Sequence, residues 1–139
     1  MGTGELREEM EEKVQQLGLT SQVHFLGVRT DVPQLLDAMD VYLFPSFMEG
    51  LSVAMLEAQC AGLPCVVSDT IPREVEMTDL ISFVSLKESP KVWAEIILKR
   101  AKKINNREPY PEVIAQAGYD IHRNAEWLQN YYLEQWQKH

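Results

Sequence analysis

Residues 41–68 read VYLFPSFMEGLSVAMLEAQCAGLPCVVS, and this one stretch contains a strand, a helix and a second strand. Val41-Tyr42-Leu43-Phe44-Pro45 is a continuous apolar run of the kind carried by parallel strands buried on both faces. From about Leu51 to Ala61 the composition is that of a nearly all-apolar helix, with Gly62 and Pro64 as its stop signals. Cys65-Val66-Val67-Ser68 then reads as another buried strand. Two strands joined by a helix form a right-handed parallel crossover, so the sheet is expected to be parallel and covered on both sides.

The pattern extends in both directions. Leu6, Met10, Val14 and Leu17 recur at helical spacing and Gly18 stops them. Val23–Leu26 reads as a short strand ending at Gly27. Asp31 is placed to cap a helix presenting Val32, Leu35, Leu36 and Met39. Downstream, Pro72–Thr78 is expected to form a short helix and Ile81–Val84 a fourth strand. Ser89 and Pro90 open a helix carrying Val92, Trp93, Ile96, Ile97, Arg100 and Ile104. A final helix starts near Asp120 and repeats Ile121, Ala125, Leu128, Tyr132 and Trp136. Strands alternating with helices in this order imply an α/β, doubly wound parallel sheet. The exception is Gly2-Thr3-Gly4, a glycine turn before a helix with no strand ahead of it, from which the domain is expected to be incomplete at its amino end.

The 139 residues suffice for one core, with 45% hydrophobic and 24% charged content and a formal charge of -8. That charge repels phosphate backbones and argues against nucleic-acid binding. The one basic cluster, Lys99, Arg100, Lys102 and Lys103, reads as the end of a solvated helix. Cys60 and Cys65 lack metal-ligand spacing and read as reduced thiols of a cytoplasmic protein. His24, His122 and His139 fall on unconnected elements, so no metal site is expected. Trp93, Trp127 and Trp136 lie on helical apolar faces and read as core or interface. No stretch approaches the ~20 apolar residues that span a bilayer.

Pro45–Ala58 carries the chemistry. It runs from the carboxyl end of a strand through a loop into a helix, at the sheet edge where doubly wound folds bind ligands. The amides of Gly50, Leu51 and Ser52 are expected to be the free donors of the helix start, suited to a diphosphate. Gly50 leaves room for close approach. Glu49 precedes that end and Glu57 lies two turns on, in apolar company where a carboxylate is costly to bury unless hydroxyls hydrogen-bond it. The plainer alternatives are a helix-terminus charge for Glu49 and a partly exposed, paired helix residue for Glu57.

The whole string resembles the signature of the large retaining glycosyltransferase family with two Rossmann-like domains, the GT-B fold. Pro45, Ser46, Glu49, Gly50, Glu57, Ala58, Gly62, Pro64, Val66 and Val67 agree with its pattern. Upstream, Val23-His24-Phe25-Leu26-Gly27, Arg29, Asp31-Val32, Leu35-Leu36, Ala38 and Asp40-Val41 agree too. Ile81–Leu86 and Gly118-Tyr119-Asp120-Ile121 are most similar to the branch found in bacterial capsular and exopolysaccharide clusters.

The resemblance implies that residues 1–139 are part of a nucleotide-sugar-binding C-terminal domain. Residues 1–104 would be its Rossmann-like core and 105–139 a helical extension, and the N-terminal acceptor domain would be absent. It implies that Glu49, Gly50 and Leu51 bind the donor sugar or diphosphate, Glu57 the ribose, and the loop at Gly27, Val28 and Arg29 the base. Arg29 has an equal reading as a surface pair with Asp31. No residue here is assigned a catalytic role. The family's basic pair on the diphosphate lies ahead of the Gly2-Thr3-Gly4 turn, so the chain is expected to be inactive alone.

The implied substrate is a UDP-linked sugar, used without metal or cofactor. The implied acceptor is a glycan or lipid-linked glycan, reached by a cytoplasmic parent enzyme at the inner face of the membrane. Self-association is a further expectation. A non-catalytic interaction domain and a two-domain nucleotide-sugar epimerase are the alternatives.

Overall fold

A computed structural model describes residues 4–101 and 107–138. Gly2, Thr3, Lys102, Lys103, Ile104 and His139, on which some of the expectations fall, lie outside the described residues. The chain forms two compact units, residues 1–34 and 35–139.

In the first unit α1 spans Arg7–Gln16. It ends at Gly18, whose amide donates to Gln15 while that of Leu19 donates to Val14, the paired bonds of a Schellman motif. Val23–Leu26 does not form a strand. A strand is defined by ladder partners, and among the described residues this apolar run has none, so Val23, Phe25 and Leu26 stay substantially exposed. Asp31 departs from the expected cap as well, because its carboxylate is bonded by Arg29 at 2.6 and 2.8 Å.

The chain passes into the second unit through α2, Val32–Asp37, of which Leu36 is buried. Three strands follow, β1 at Tyr42–Phe44, β2 at Cys65–Ser68 and β3 at Ile81–Val84. They pair in parallel in the order β1-β2-β3, with Tyr42 level with Cys65 and Cys65 level with Ile81. All four residues of β2 are buried. β1 is not buried on both faces as its composition suggests. Leu43 is 47% exposed, because β1 lies at the edge of this sheet and, among the described residues, pairs only with β2.

Helices cover the two faces. α4, Pro90–Ala101, starts where Ser89 accepts from the Val92 amide, and packs Trp93 on Val66 and Val84. α3, Val53–Cys60, lies between β1 and β2 in sequence and also packs against α5, Tyr110–Ile114. α5 has little local signal in the sequence, since Pro109 and Pro111 obscure a helix that is only five residues long. A wide turn at Ala115–Tyr119 leads to α6, Ile121–Trp136, capped by Asp120 through the amides of His122 and Arg123. Pro72–Thr78 contains only a single tight turn of helix, at Arg73–Val75.

Two polar devices, one of them buried, join these pieces. Gln59, fully buried on α3, donates to the Val75 carbonyl at 2.9 Å and accepts from Thr78 at 2.9 Å and the Met77 amide at 3.2 Å. It thereby fixes the segment that delivers β3. Arg100, read from sequence as part of a solvated basic cluster, instead reaches back to the carbonyls of Asp79 and Leu80.

Gly62 terminates α3 at φ +67, and a Cβ there would sit 2.7 Å from the Arg107 Cβ and 3.0 Å from its Cα. Gly62→Ala therefore combines left-handed strain with a backbone collision. It should lower the unfolding free energy by about 2 kcal/mol, measured by urea denaturation. The Cys65 thiol is pushed up from 9.0 to about 12, chiefly by burial, with the Arg100 charge pulling the other way. The folded state therefore keeps a proton that the unfolded chain releases. This contribution is full below pH 9 and is lost as pH climbs through about 12. Unfolding midpoints of the wild type should fall over that window more steeply than those of Cys65→Ala.

Candidate functional site

The parallel sheet brings the carboxyl ends of β1 and β2 to one edge, and the loop at residues 45–52 leaves from there into α3. Alternation along β1 sets Tyr42 and Phe44 on one face, their rings stacked at 5.8 Å, with Leu43 on the other. Ser46 follows two residues after the strand, and its hydroxyl donates to the Glu49 carboxylate at 3.0 Å. Glu49 is half-buried, whereas the neighbouring Phe47 and Met48 are almost wholly exposed.

α3 begins later than the sequence suggests. Ser52 is extended and makes no side-chain cap, and the first helical residue is Val53. The amides of Met55 and Leu56 already bond the Ser52 carbonyl, so the donors left at the start of this helix are those of Ser52, Val53 and Ala54, with Gly50 and Leu51 in the loop ahead of it. Gly50 and Leu51 are exposed loop residues. Gly50 does not adopt a left-handed conformation, and a Cβ there would meet no atom within 4 Å. The space beside it is open.

Glu57 is exposed, which removes the desolvation cost expected for it. α3 buries Met55, Leu56, Ala58 and Gln59 and leaves Val53, Ala54 and Glu57 outward, so its apolar composition does not imply burial all round. The Glu57 side chain instead borders a cavity of about 300 Å³ formed with Leu51, Val53, Leu56, Cys60, Ile114 and Tyr119. A carboxylate on the rim of an apolar hollow offers an acceptor for hydroxyls next to a surface for a flat ring.

Tyr42 lies on β1, the strand that leads into this loop. Its phenol is pushed up to about 12, first by burial, then by negative charge at Cys65, Glu49 and Glu57. Tyr42 escaped the sequence reading because it sits inside an apolar strand, although the period-2 alternation from Phe44 is a signal that could have placed it on the α3 side.

The other expected residues, Gly27, Val28 and Arg29, belong to the first unit. Gly27 is left-handed, Val28 is exposed, and Arg29 forms its ion pair with Asp31, the rival reading that the sequence left open. The Arg29 guanidinium holds the Asp31 carboxyl below its usual range. The pair is solvent-exposed, where such bridges contribute little.

Among the described residues no three histidine, cysteine or carboxylate side chains lie close enough to hold a metal ion, and no helix is long and apolar enough to cross a membrane.

Comparison with known proteins places these features. Over 133 residues the chain is 41% identical to EpsF of Bacillus subtilis (strain 168), whose name puts it among the glycosyltransferases, covering 94% of this chain and 35% of that one. Over 97 residues it is 36% identical to the UDP-Gal:alpha-D-GlcNAc-diphosphoundecaprenol alpha-1,3-galactosyltransferase of Escherichia coli, covering 61% of this chain and 25% of that one. The crystal structure of WaaG, a glycosyltransferase involved in lipopolysaccharide biosynthesis, matches with a TM-score of 0.64 and 25% identity, covering 82% of this chain and 32% of that chain. The chain thus spans about a third or less of the length of these relatives. The three-stranded parallel sheet and its flanking helices are therefore part of a GT-B glycosyltransferase fold. With residues 1–103 also matching the model for glycosyl transferases group 1, the chain belongs to that family.

Proposed function

We propose that this chain forms the nucleotide-sugar-binding part of a retaining glycosyltransferase that extends a polysaccharide or lipid-linked glycan. The observation that carries the proposal is the pair Glu49 and Glu57. Glu49 sits in the loop at the carboxyl edge of a parallel sheet with its carboxylate bonded by Ser46, Glu57 stands on the helix that this loop enters and borders an apolar hollow, and the space beside Gly50 is open.

Glu57 accepts the two ribose hydroxyls, and the hollow beside it takes the apolar face of the nucleoside. Glu49 accepts hydroxyls of the sugar. The diphosphate lies along the loop at Gly50 and Leu51, toward the free amides of Val53 and Ala54. Gly27, Val28 and Arg29 supply the base loop. Residues 1–104 act as the binding core and 105–139 as its helical extension.

The donor is UDP-linked and reacts without a metal. Transfer requires cations on the leaving diphosphate, and a site without them loses a large electrostatic contribution. The relatives support the acceptor class, since the name of the galactosyltransferase gives a diphosphoundecaprenol-linked acceptor. A parent enzyme of this kind works at the cytoplasmic face of the membrane.

Titrating UDP, GDP and ADP into the chain, followed by amide chemical shifts, should move Gly50, Leu51 and Glu57 first. Glu57→Gln should weaken UDP binding at least about tenfold, the scale of losing a hydrogen bond to a charged group, with little change in melting temperature. Shifts confined to another face, or an unchanged affinity with a much lower melting temperature, would remove this assignment.

The same reading makes the chain silent in a donor-hydrolysis assay. It also makes the chain prone to self-association, since α6 buries no residue and presents Ile121, Trp127, Tyr132 and Trp136 to solvent. Light scattering across a concentration series should show growth in mass. A strict monomer at high concentration overturns the association, and Glu49-dependent sugar release overturns the inactivity.

A further inference from the structure

The carboxyl ends of β1 and β2 are tied together by a relay of hydroxyl groups that ends on Glu49. Ser68, the fully buried last residue of β2, donates its hydroxyl to the main-chain carbonyl of Ser46. Thr70, in the turn that closes from Ser68 to Ile71, reaches the same carbonyl at 2.8 Å and lies 3.1 Å from the Ser68 hydroxyl. A carbonyl oxygen has two lone pairs, so both hydroxyls are accommodated. The Ser46 hydroxyl is left to donate to Glu49 Oε1 at 3.0 Å, a charge-assisted bond that outcompetes its 3.3 Å approach to the Met48 carbonyl. Ser46 is therefore held through its carbonyl by β2 and holds Glu49 through its hydroxyl. The relay spans 22 and 24 residues of sequence, and its buried end belongs to the most enclosed strand of the sheet.

This arrangement has a consequence for ligand selection. A glutamate on an exposed loop has three rotatable side-chain bonds, and their freedom must be given up when its carboxylate engages a ligand. Anchoring Oε1 beforehand removes part of that cost. It leaves Oε2 and the second lone pair of Oε1 as acceptors pointing away from Ser46, a set that matches hydroxyl donors and repels a second carboxylate.

We propose that Ser46, Ser68 and Thr70 are positioning residues that hold the Glu49 carboxylate for the hydroxyls of a neutral glycosyl group, so that sugar recognition is set from the carboxyl end of β2 separately from nucleotide binding. The proposal rests on the reading of Glu49 as a sugar-binding residue.

The test is the ratio of the dissociation constant for UDP to that for a UDP-sugar, measured by calorimetry on the same chain. UDP-glucose, UDP-galactose and UDP-N-acetylglucosamine serve as probes, the tightest of them being used throughout. Ser46→Ala and Thr70→Val should each reduce this ratio by about threefold to tenfold while leaving the constant for UDP within about twofold. Thr70→Ser, which keeps the hydroxyl, should restore the wild-type ratio, and Glu49→Gln should abolish the sugar's contribution. Thr70 is exposed and Ser46 half-buried, so these variants should fold, which the amide spectrum checks.

A wild-type ratio retained in Ser46→Ala and Thr70→Val, with Glu49→Gln still losing it, overturns the relay and leaves the donor-binding reading intact. Equal loss of UDP and UDP-sugar affinity assigns these residues a merely structural role and likewise overturns it. Failure of the wild-type chain to bind UDP or any of the three sugars overturns both.

Discussion

The complete burial of β2 is the constraint on which the rest of the second unit depends. A strand with no exposed residue cannot leave amides or carbonyls to water, so it requires a paired neighbour on each side. β1 and β3 provide these in parallel register. Parallel pairing in turn requires a crossover between successive strands, and the first of these is α3. Its faces need covering as well, and α4 lays Trp93 against Val66 and Val84 to do so. Parallel strands end at the same edge, which is why the loop after β1 meets the turn after β2. The hydroxyl relay from Ser68 to Ser46 exists because of that coincidence of ends.

The two glutamates occupy different environments on this frame. Glu49 is half-buried with one oxygen engaged by Ser46, while Glu57 stands in solvent at the edge of an apolar hollow. A pre-bonded carboxylate selects by geometry, whereas an exposed carboxylate beside a hydrophobic wall contributes affinity to any ring that carries adjacent hydroxyls.

Interior polar groups support this arrangement from behind. Gln59 satisfies both ends of its amide within the fold, joining α3 to the segment that leads into β3. Its cost of burial is offset only while all these partners are present. Arg100 plays a related part at the end of α4, donating to the carbonyls ahead of β3. Neither residue is part of the candidate site, yet both fix the strand order that creates its edge.

The sequence by itself determined the features that local chemistry dictates. Gly62 stops α3, Ser89 and Pro90 start α4, and Asp120 caps α6, each because a left-handed turn, a free side-chain oxygen or a fixed φ acts within a few residues. The apolar run at Cys65–Ser68 identified the central strand. Only the tertiary structure decided how those residues are used. It left Val23–Leu26 without a ladder among the described residues, exposed Leu43 and Glu57, set the first helical residue of α3 at Val53, and added α5 behind α3. It also assembled Ser46, Ser68 and Thr70 around one carbonyl. Periodicity reports which residues prefer to be covered. Which of them find a partner is set by contacts between segments distant in sequence, and no local pattern encodes those.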